Sequence, residues 1–300
     1  MTSLKNRYRE SEETKPKVVL MVNDKAACNM NCPCCYLPYE GVRDPSSVLR
    51  IIDNLQSQYR LSVAGSEVLA DLRYLEALRM INQKYILTNG LLLSRQPQLL
   101  EKLQDCGIEE IQLSFDFKGE KGGRDPSNPI VRKAVQLAKE RGFWVRLACI
   151  VTPDNYTQVD EMCSQVQSTG ADAIFFIRYI QSGSAKSEGK ETLTTEQRVE
   201  FFRLVDEERK NYQKSDLDIR MNGNFGPKKG SRGEAQSACN TYCFAGRTIF
   251  TVAPNDSIYG CPYLMDTTPI GKLIDESRLE IRRDLCDGQR TACLTDIIYG

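Results

Sequence analysis

An apolar strand leads into a cysteine-rich loop at residues 17–41, which read KVVLMVNDKAACNMNCPCCYLPYEG. The apolar residues of 17–23 predict a first buried β-strand. Four cysteines follow in the loop: Cys28, Cys32, Cys34 and Cys35. Thiolates this close in sequence converge on one metal centre only where the backbone curls around it, which Asn, Pro and a lack of regular structure permit. The stretch therefore predicts a thiolate-bound metal or iron–sulfur centre directly after the first strand.

Two other interpretations of the loop remain open. A structural zinc site needs four ligands, and Cys34 would be the fourth, but such sites usually pair two C-x2-C knuckles and no second knuckle lies here. The four residues could also be plain buried thiols.

Composition excludes several classes of chemistry. The 300 residues include 40 Lys plus Arg against 40 Asp plus Glu, so the formal net charge is zero, and we expect no nucleic-acid or membrane partner. The sequence contains twelve cysteines and no histidine. The lack of histidine excludes Ser-His or Cys-His nucleophile pairs, His-ligated zinc hydrolase sites and a His general base.

The cellular location follows from the absence of targeting signals. The first 16 residues are polar, without the apolar core of a signal peptide, and no apolar run approaches the ~20 residues that span a bilayer. We therefore expect a cytoplasmic protein, in which reduced thiols serve as metal ligands or redox groups rather than disulfides.

Hydrophobic periodicity predicts six consecutive β-α units. The predicted strands are 17–23, 61–64, 85–88, 110–115, 144–151 and 173–180, and the predicted helices are 45–58, 72–82, 98–106, 129–141, 156–168 and 195–212. This order predicts an α/β fold with a parallel sheet. We expect a polar tail at 1–16, a main domain at 17–221, and a linker plus a small cysteine-rich domain at 222–300.

The C-x3-C-x2-C spacing after the first strand resembles the radical S-adenosylmethionine (SAM) superfamily. The resemblance implies that Cys28, Cys32 and Cys35 bind three irons of a [4Fe–4S] cluster, while the amino and carboxylate groups of SAM chelate the fourth. Cys34 takes a position that is usually aromatic in the family, and the family spacing favours Cys35 as the third ligand. The implied fold is a partial (β/α)6 TIM-like barrel.

Further motifs follow the successive predicted strands. Gly65-Ser66-Glu67 resembles the GGE motif that holds the SAM amino group, with Ser66 in place of a glycine, and Thr88-Asn89-Gly90 resembles a TNG sequence common in the family. The resemblance adds further candidates for SAM contacts: Ser114, Asp116, Arg146 and Arg178. The two arginines are candidates for the SAM carboxylate. We expect the motifs that follow the successive strands to lie at the carboxyl ends of those strands, where α/β sheets bind ligands.

A second cysteine group lies at residues 239–264, which read CNTYCFAGRTIFTVAPNDSIYGCPYL. Alternation over 248–252 and 257–259 predicts a β-hairpin. Buried cysteines in a small cap are one interpretation, but the group also resembles the SPASM and twitch domains of radical SAM enzymes. The later C-x2-C-x5-C-x3-C run of SPASM domains is absent, and Asp256 stands where the pattern has a glycine. A twitch-like domain with one auxiliary [4Fe–4S] cluster is therefore expected, and its candidate ligands are Cys243, Cys261, Cys286, Cys293 and Cys239.

The resemblance implies an enzyme that reductively cleaves SAM to a 5′-deoxyadenosyl radical, which abstracts hydrogen from its substrate. An auxiliary cluster that accepts the substrate's electron would give dehydrogenation or a cross-link. A thiol that returns hydrogen, with Cys239 as a candidate, would give epimerisation. The class is thus an oxidoreductase, epimerase or peptide maturase that takes its electron from an external donor such as flavodoxin or ferredoxin.

Alternatives remain open for the substrate and for the general class of protein. Only 27 residues precede Cys28, so we expect no leader-peptide recognition domain there, and a small natural product or a short peptide as substrate. The alternatives in other classes are a non-catalytic cysteine-rich zinc or iron–sulfur protein and a nucleic-acid-modifying radical SAM enzyme. The neutral charge balance argues against the latter.

Overall fold

The computed structural model describes residues 15–38, 41–115, 129–225 and 244–282. These residues form two compact units. The first contains the described residues of 15–28, 37–83 and 244–282, and the second contains those of 29–36 and 84–225.

The described strands are β1 Lys17–Met21, β2 Arg60–Ala64, β3 Tyr85–Thr88, β4 Glu110–Phe115, β5 Trp144–Val151, β6 Ala173–Arg178, β7 Asp218–Met221, β8 Ile249–Val252, β9 Ser257–Tyr259, β10 Gly271–Ile274 and β11 Arg278–Ile281. The described α-helices are α1 Pro45–Leu55, α2 Tyr74–Met80, α3 Leu91–Arg95, α4 Leu99–Asp105, α5 Pro129–Glu140, α6 Val159–Gln167 and α7 Thr195–Asn211. Short 3-10 turns lie between several of them, among them Lys25–Ala27, Val68–Ala70 and Pro262–Leu264.

The first unit is built on a six-stranded sheet in the order β11-β10-β9-β8-β1-β2. Strand β1 is parallel to β2 on one side and to β8 on the other, and the remaining neighbours are antiparallel. Val18 and Leu20, which lie on one face of β1, are fully buried, and Val19 between them on the other face is half-buried. The chain therefore enters the cysteine-rich loop from the centre of a sheet.

The second unit is built on a five-stranded parallel sheet in the order β3-β4-β5-β6-β7. Parallel neighbours need a crossover connection, and α5, α6 and α7 supply three of them. Phe201 of α7 packs edge-to-face on Phe176 of β6, with ring centroids 5.3 Å apart, and stacks on Phe225 at 4.9 Å. This aromatic cluster fixes α7 on the sheet.

The predicted α/β class with parallel strands is confirmed, and the described strands form no closed barrel. Strands β3, β4 and β5 have the predicted bounds. Helix α6 begins later than predicted because the side chain of Asn155 closes a turn before it, accepting from the backbone N–H of Thr152 at 2.8 Å. The short helix α3 and the strand β7 were not predicted.

The segment after residue 243 is not predicted by periodicity to join β1, yet β8 pairs with it from Lys17 opposite Ile249 to Leu20 opposite Val252. The predicted hairpin is confirmed as β8 and β9. The predicted domain boundaries stay a prediction. None of the helices in the described ranges has the length and apolarity needed to cross a bilayer.

Candidate functional site

The chain leaves β1 through two buried polar residues, Asn23 and Asp24, which are 1% and 0% exposed. The Asp24 carboxylate accepts from the backbone N–H of Ala26 at 2.8 Å and from that of Gly41 at 2.5 Å. The Asp24 N–H also donates to the Gly41 carbonyl at 3.2 Å. Asp24 thus joins the beginning of the cysteine-bearing segment to its end.

The later part of the cysteine loop is held within the second unit. The Cys35 N–H donates to the Cys32 carbonyl at 3.3 Å, which forms a tight turn between two of the predicted ligands. The Cys35 carbonyl accepts from the N–H of Ala185 at 3.2 Å, and the Tyr36 carbonyl accepts from the hydroxyl of Ser182 at 3.0 Å. Ser182 is fully buried, so this part of the loop is fixed by the segment that follows β6.

The four loop cysteines are all half-buried: Cys28, Cys32, Cys34 and Cys35. Cys28 belongs to the first unit and the other three belong to the second. Among the described residues, Cys, Asp and Glu side chains form no group of three or more gathered as a metal site. The fit to a cluster therefore rests on the donor set, because three sulfur ligands on irregular, partly exposed backbone suit an iron–sulfur cluster.

Gly65 and Ser66 lie directly against the residues that follow β1. A Cβ atom on Gly65 would be 2.2 Å from Oδ1 of Asn23, so only glycine fits while Asn23 keeps its position. The Ser66 hydroxyl donates to the Asp24 carbonyl at 2.5 Å. This bond gives a physical reason for serine where the family motif has glycine, because the hydroxyl links the end of β2 to the start of the cysteine loop.

Glu67 is fully buried at the end of the same turn. Its carboxylate accepts from the N–H of Leu69 at 3.2 Å and so caps the 3-10 turn Val68–Ala70. Its carbonyl accepts from Nδ2 of Asn23 at 2.9 Å. Asn23 and Asp24 were not singled out from the sequence, although two polar residues directly after an apolar strand were a visible signal.

In the second unit, Asn89 lies at the carboxyl end of β3 and is 6% exposed. Its Oδ1 accepts from the N–H of Leu91 at 3.0 Å, and its Nδ2 donates to Oδ1 of Asn29 at 2.7 Å. Gly90 has φ +79, a left-handed conformation that favours glycine. The Asn89 side chain therefore bonds the first residue of α3 and also the residue that follows Cys28, while a SAM contact stays a prediction.

Ser114 and Arg178 also lie at the carboxyl ends of strands. Ser114 is the last residue but one of β4, and Arg178 is the last residue of β6. The backbone of Arg178 is fixed by the Asn224 amide, which accepts from its N–H at 3.1 Å and donates to its carbonyl at 2.9 Å. Asp116 lies outside the described residues.

Arg146 lies elsewhere on the sheet. It is the third residue of β5, near the amino end of that strand, whereas ligands of α/β sheets bind at the carboxyl end. Its guanidinium lies over the ring of Phe175, 4.9 Å from the centroid, and 4.0 Å from the Glu110 carboxylate. Burial lowers the pKa of Arg146 from its usual value. These contacts explain Arg146 as a residue of the sheet, and we do not carry it into the proposed site.

The second cysteine group is described only in part. Cys261 is half-buried and precedes the 3-10 turn Pro262–Leu264, with its carbonyl accepting from the N–H of Leu264 at 3.0 Å. The other predicted members lie outside the described residues: Cys239, Cys243, Cys286 and Cys293.

Asp256 lies in the hairpin turn with φ +71, a left-handed backbone conformation that favours glycine. Asp is among the few residues that tolerate this conformation. Its carboxylate accepts from Nη1 of Arg43 at 2.7 Å, and Nη2 of Arg43 donates to the Ala253 carbonyl at 2.6 Å. Arg43 follows the cysteine loop and is 6% exposed. Its buried guanidinium therefore joins this part of the chain to the hairpin turn.

Part of the sequence is similar to a known protein family. Residues 22–166 match the family model of the radical SAM superfamily, and the matched range contains all four loop cysteines. No curated protein sequence matches the chain significantly.

Solved structures resemble the chain in fold. Streptococcus suis SuiB has a TM-score of 0.65 at 17% identity, covering 95% of this chain and 66% of SuiB. SuiB bound to the precursor peptide SuiA gives 0.66 at 16% identity, with 99% and 67% covered. Native anSMEcpe with bound AdoMet gives 0.61 at 17% identity, with 85% and 77% covered. This chain thus spans about two thirds of the length of SuiB. Residues 22–166 of this chain thus match the radical SAM superfamily in sequence, and the solved structures show a similar fold.

Proposed function

We propose that this protein is a radical SAM enzyme in which Cys28, Cys32 and Cys35 hold a [4Fe–4S] cluster that binds SAM. The observation that carries the proposal is the set of half-buried thiols in C-x3-C-x2-C spacing, within the matched domain and on a loop whose base is joined by Asp24. A structural zinc site would need Cys34 as a fourth ligand, whereas three thiols in the family spacing suit a cluster that leaves one iron for SAM.

The bound cluster and SAM would supply the electron transfer and the 5′-deoxyadenosyl radical that abstracts hydrogen from the substrate. The chain itself would provide position and orientation. Ser66 and Glu67 lie at the end of β2 for the SAM amino group, and Arg178 at the end of β6 offers a guanidinium for the SAM carboxylate. Ser114 and Asn89 lie at the ends of β4 and β3.

A peptide is the substrate class that we propose. The fold neighbours include SuiB bound to the precursor peptide SuiA and anSMEcpe bound to the peptide Cp18Cys, at 16% and 18% identity. A small natural product is the alternative. We also propose a second [4Fe–4S] cluster on Cys243, Cys261, Cys286 and Cys293, which would accept the substrate's electron, and an external flavodoxin or ferredoxin as donor for the first cluster.

Iron content and SAM cleavage test the proposal. After anaerobic reconstitution we expect about eight irons per chain if both clusters form, and about four fewer when Cys28, Cys32 and Cys35 are replaced by Ala. Reduced parent protein should convert SAM to 5′-deoxyadenosine, and the triple variant should not. Cys106→Ala is the matched control, because Cys106 is half-buried but follows helix α4. One zinc and no iron in the parent would refute the proposal.

The roles of Cys34 and of the peptide can be separated in the same assay. Cys34→Ala should keep the iron of the first cluster, whereas Cys35→Ala should lose it, and the reverse result would reassign the third ligand. Short peptides encoded beside the gene, made synthetically, should raise the rate of 5′-deoxyadenosine formation and gain or lose mass. Turnover with small amino sugars and none with these peptides would favour the small-molecule alternative.

A further inference from the structure

The two oxygens of the Asp24 carboxylate accept hydrogen bonds from the two ends of one segment. One oxygen bonds the N–H of Ala26, two residues ahead, and the other bonds the N–H of Gly41, which is 17 residues away. Asp24 is 0% exposed, and its bonds to the two N–H groups are part-buried. A carboxylate acceptor makes such bonds stronger than hydrogen bonds between neutral groups. The segment that they close carries all four loop cysteines.

The partner at the far end has a backbone suited to this contact. Gly41 has φ +123, a conformation that residues with a side chain rarely adopt. Its carbonyl also accepts from the Asp24 N–H at 3.2 Å, so the two residues are joined by a pair of bonds. The Asp24 carbonyl accepts from Ser66, which ties the same point to the turn after β2.

An ordinary helix cap in the same unit provides a contrast. Asp44 accepts from the N–H groups of Ser46 and Ser47, at 2.9 and 3.3 Å, and so begins helix α1 locally. Asp24 caps the turn Lys25–Ala27 in the same way, but its second carboxylate oxygen accepts from the N–H of Gly41, which is distant in sequence. A cap alone does not require that second bond.

We propose that Asp24 is a positioning residue that closes the cysteine-bearing segment at its base and so holds the loop ready for the cluster. The proposal rests on the proposed function, because it assumes that Cys28, Cys32 and Cys35 bind the cluster. Its physical basis is entropy: closing the loop before the cluster binds removes conformations in which the three thiols are far apart. The Ser66 bond makes the same residue a link between the cysteine loop and the Gly65-Ser66-Glu67 turn.

The first test needs no cluster. In the full-length apo protein, Asp24→Asn leaves one of the two N–H groups without its acceptor, and Asp24→Ala removes the acceptor from both. We expect amide exchange at Ala26 and Gly41 to rise on the order of tenfold or more, while exchange in β4 and β5 is unchanged. Asp44→Asn is the matched control, since it weakens a cap of the same chemistry without touching Gly41. Unchanged exchange at Gly41 in both Asp24 variants would overturn the proposal.

The second test uses reconstituted protein. Asp24→Asn should lower the iron of the first cluster by at least half, and the change that SAM causes in the electron paramagnetic resonance spectrum of the reduced cluster should weaken. Asp44→Asn should leave both at parental values. If the parent binds its cluster and the Asp24→Asn variant has full iron and the parental spectral change, this proposal alone is overturned. A parent that binds no iron would overturn the proposed function as well.

Gly41→Ala keeps the test decisive if the Asp24 variants do not fold. A Cβ at Gly41 meets no atom within 4 Å, so the substitution strains only the backbone conformation at the far end of the segment. The expected signature is the same, with faster exchange at Ala26 and Gly41 and a smaller SAM-induced spectral change. Parental behaviour in Gly41→Ala would contradict the proposal.

Discussion

Gly65 lies against the side chain of Asn23 in the described part of the candidate site. Gly65 has no Cβ, and a Cβ added there would lie 2.2 Å from Oδ1 of Asn23, which is too close. Asn23 uses that position to donate to the Glu67 carbonyl at 2.9 Å. The glycine is therefore required by a neighbour's side chain rather than by an unusual backbone angle.

Gly65→Ala is expected to lower the free energy of unfolding by about 1–3 kcal/mol, because the added methyl group displaces a buried side chain. Chemical denaturation measures the change. In an Asn23→Ala background the same substitution should cost much less, since the obstructing Oδ1 is gone. An equal cost in both backgrounds would show that Asn23 is not the obstacle.

Departures from a family motif also have local causes at this scale. Ser66 replaces a glycine and donates to the Asp24 carbonyl, and Asp256 replaces a glycine while keeping its left-handed backbone. In both cases the side chain gains a bond that glycine cannot make, to a backbone carbonyl or to the buried Arg43. Such substitutions are compatible with the motif's backbone and add contacts specific to this chain.

At the scale of elements, the outer edge of β2 is completed by a side chain. Strand β2 pairs with β1 on one side, and on the other the Gln83 amide bonds the backbone of Val63. Its Oε1 accepts from the Val63 N–H at 2.8 Å, and its Nε2 donates to the Val63 carbonyl at 3.0 Å. Gln83 is 6% exposed, so it supplies the two bonds that a neighbouring strand would make and shields them from water.

Gln83→Ala is expected to destabilise the protein by about 2–4 kcal/mol, because a buried N–H and a buried carbonyl both lose their partner. Gln104→Ala is the matched control, since that amide donates at 2.9 Å to the Arg141 carbonyl on the exposed surface. The control should change stability by less than about 1 kcal/mol. Similar effects of the two substitutions in urea denaturation would contradict this role for Gln83.

At the scale of the whole molecule, the chain's late strands complete the sheet that begins with its first strand. Strand β8 pairs with β1, and Thr251 of β8 lies opposite Val19 of β1 and Tyr259 of β9. Thr251 is fully buried. The strand that leads into the cysteine loop therefore depends on residues far along the chain for one of its two edges.

Thr251→Pro is expected to speed amide exchange in β1 as well as in β8, because proline removes a backbone donor from a central strand. Hydrogen exchange followed by mass spectrometry measures it peptide by peptide. Glu280→Pro in β11 is the control, since β11 pairs only with β10 among the described strands and the substitution should leave β1 protected. Unchanged protection of β1 in Thr251→Pro would mean that β8 adds little to its stability.

Much of the fold was predictable because it is local. Strands β3, β4 and β5 have the predicted bounds, since continuous apolar runs between turn residues mark them directly. Strand β7 escapes prediction because its alternation of polar and apolar residues covers only the four positions Asp218–Met221, and pairing with β6 orders it. Arg146 is assigned by its residue type, although the predicted strand 144–151 already places it third, near the amino end of β5.

The sequence by itself determined the order of β-α units and the C-x3-C-x2-C loop after the first strand, because periodicity and spacing are written along the chain. The tertiary structure alone decided that β8 lies beside β1, that Gln83 closes the edge of β2, and that Asp24 joins Ala26 to Gly41. These contacts connect residues far apart in sequence. They exist because buried backbone and carboxylate groups must find partners wherever folding brings them.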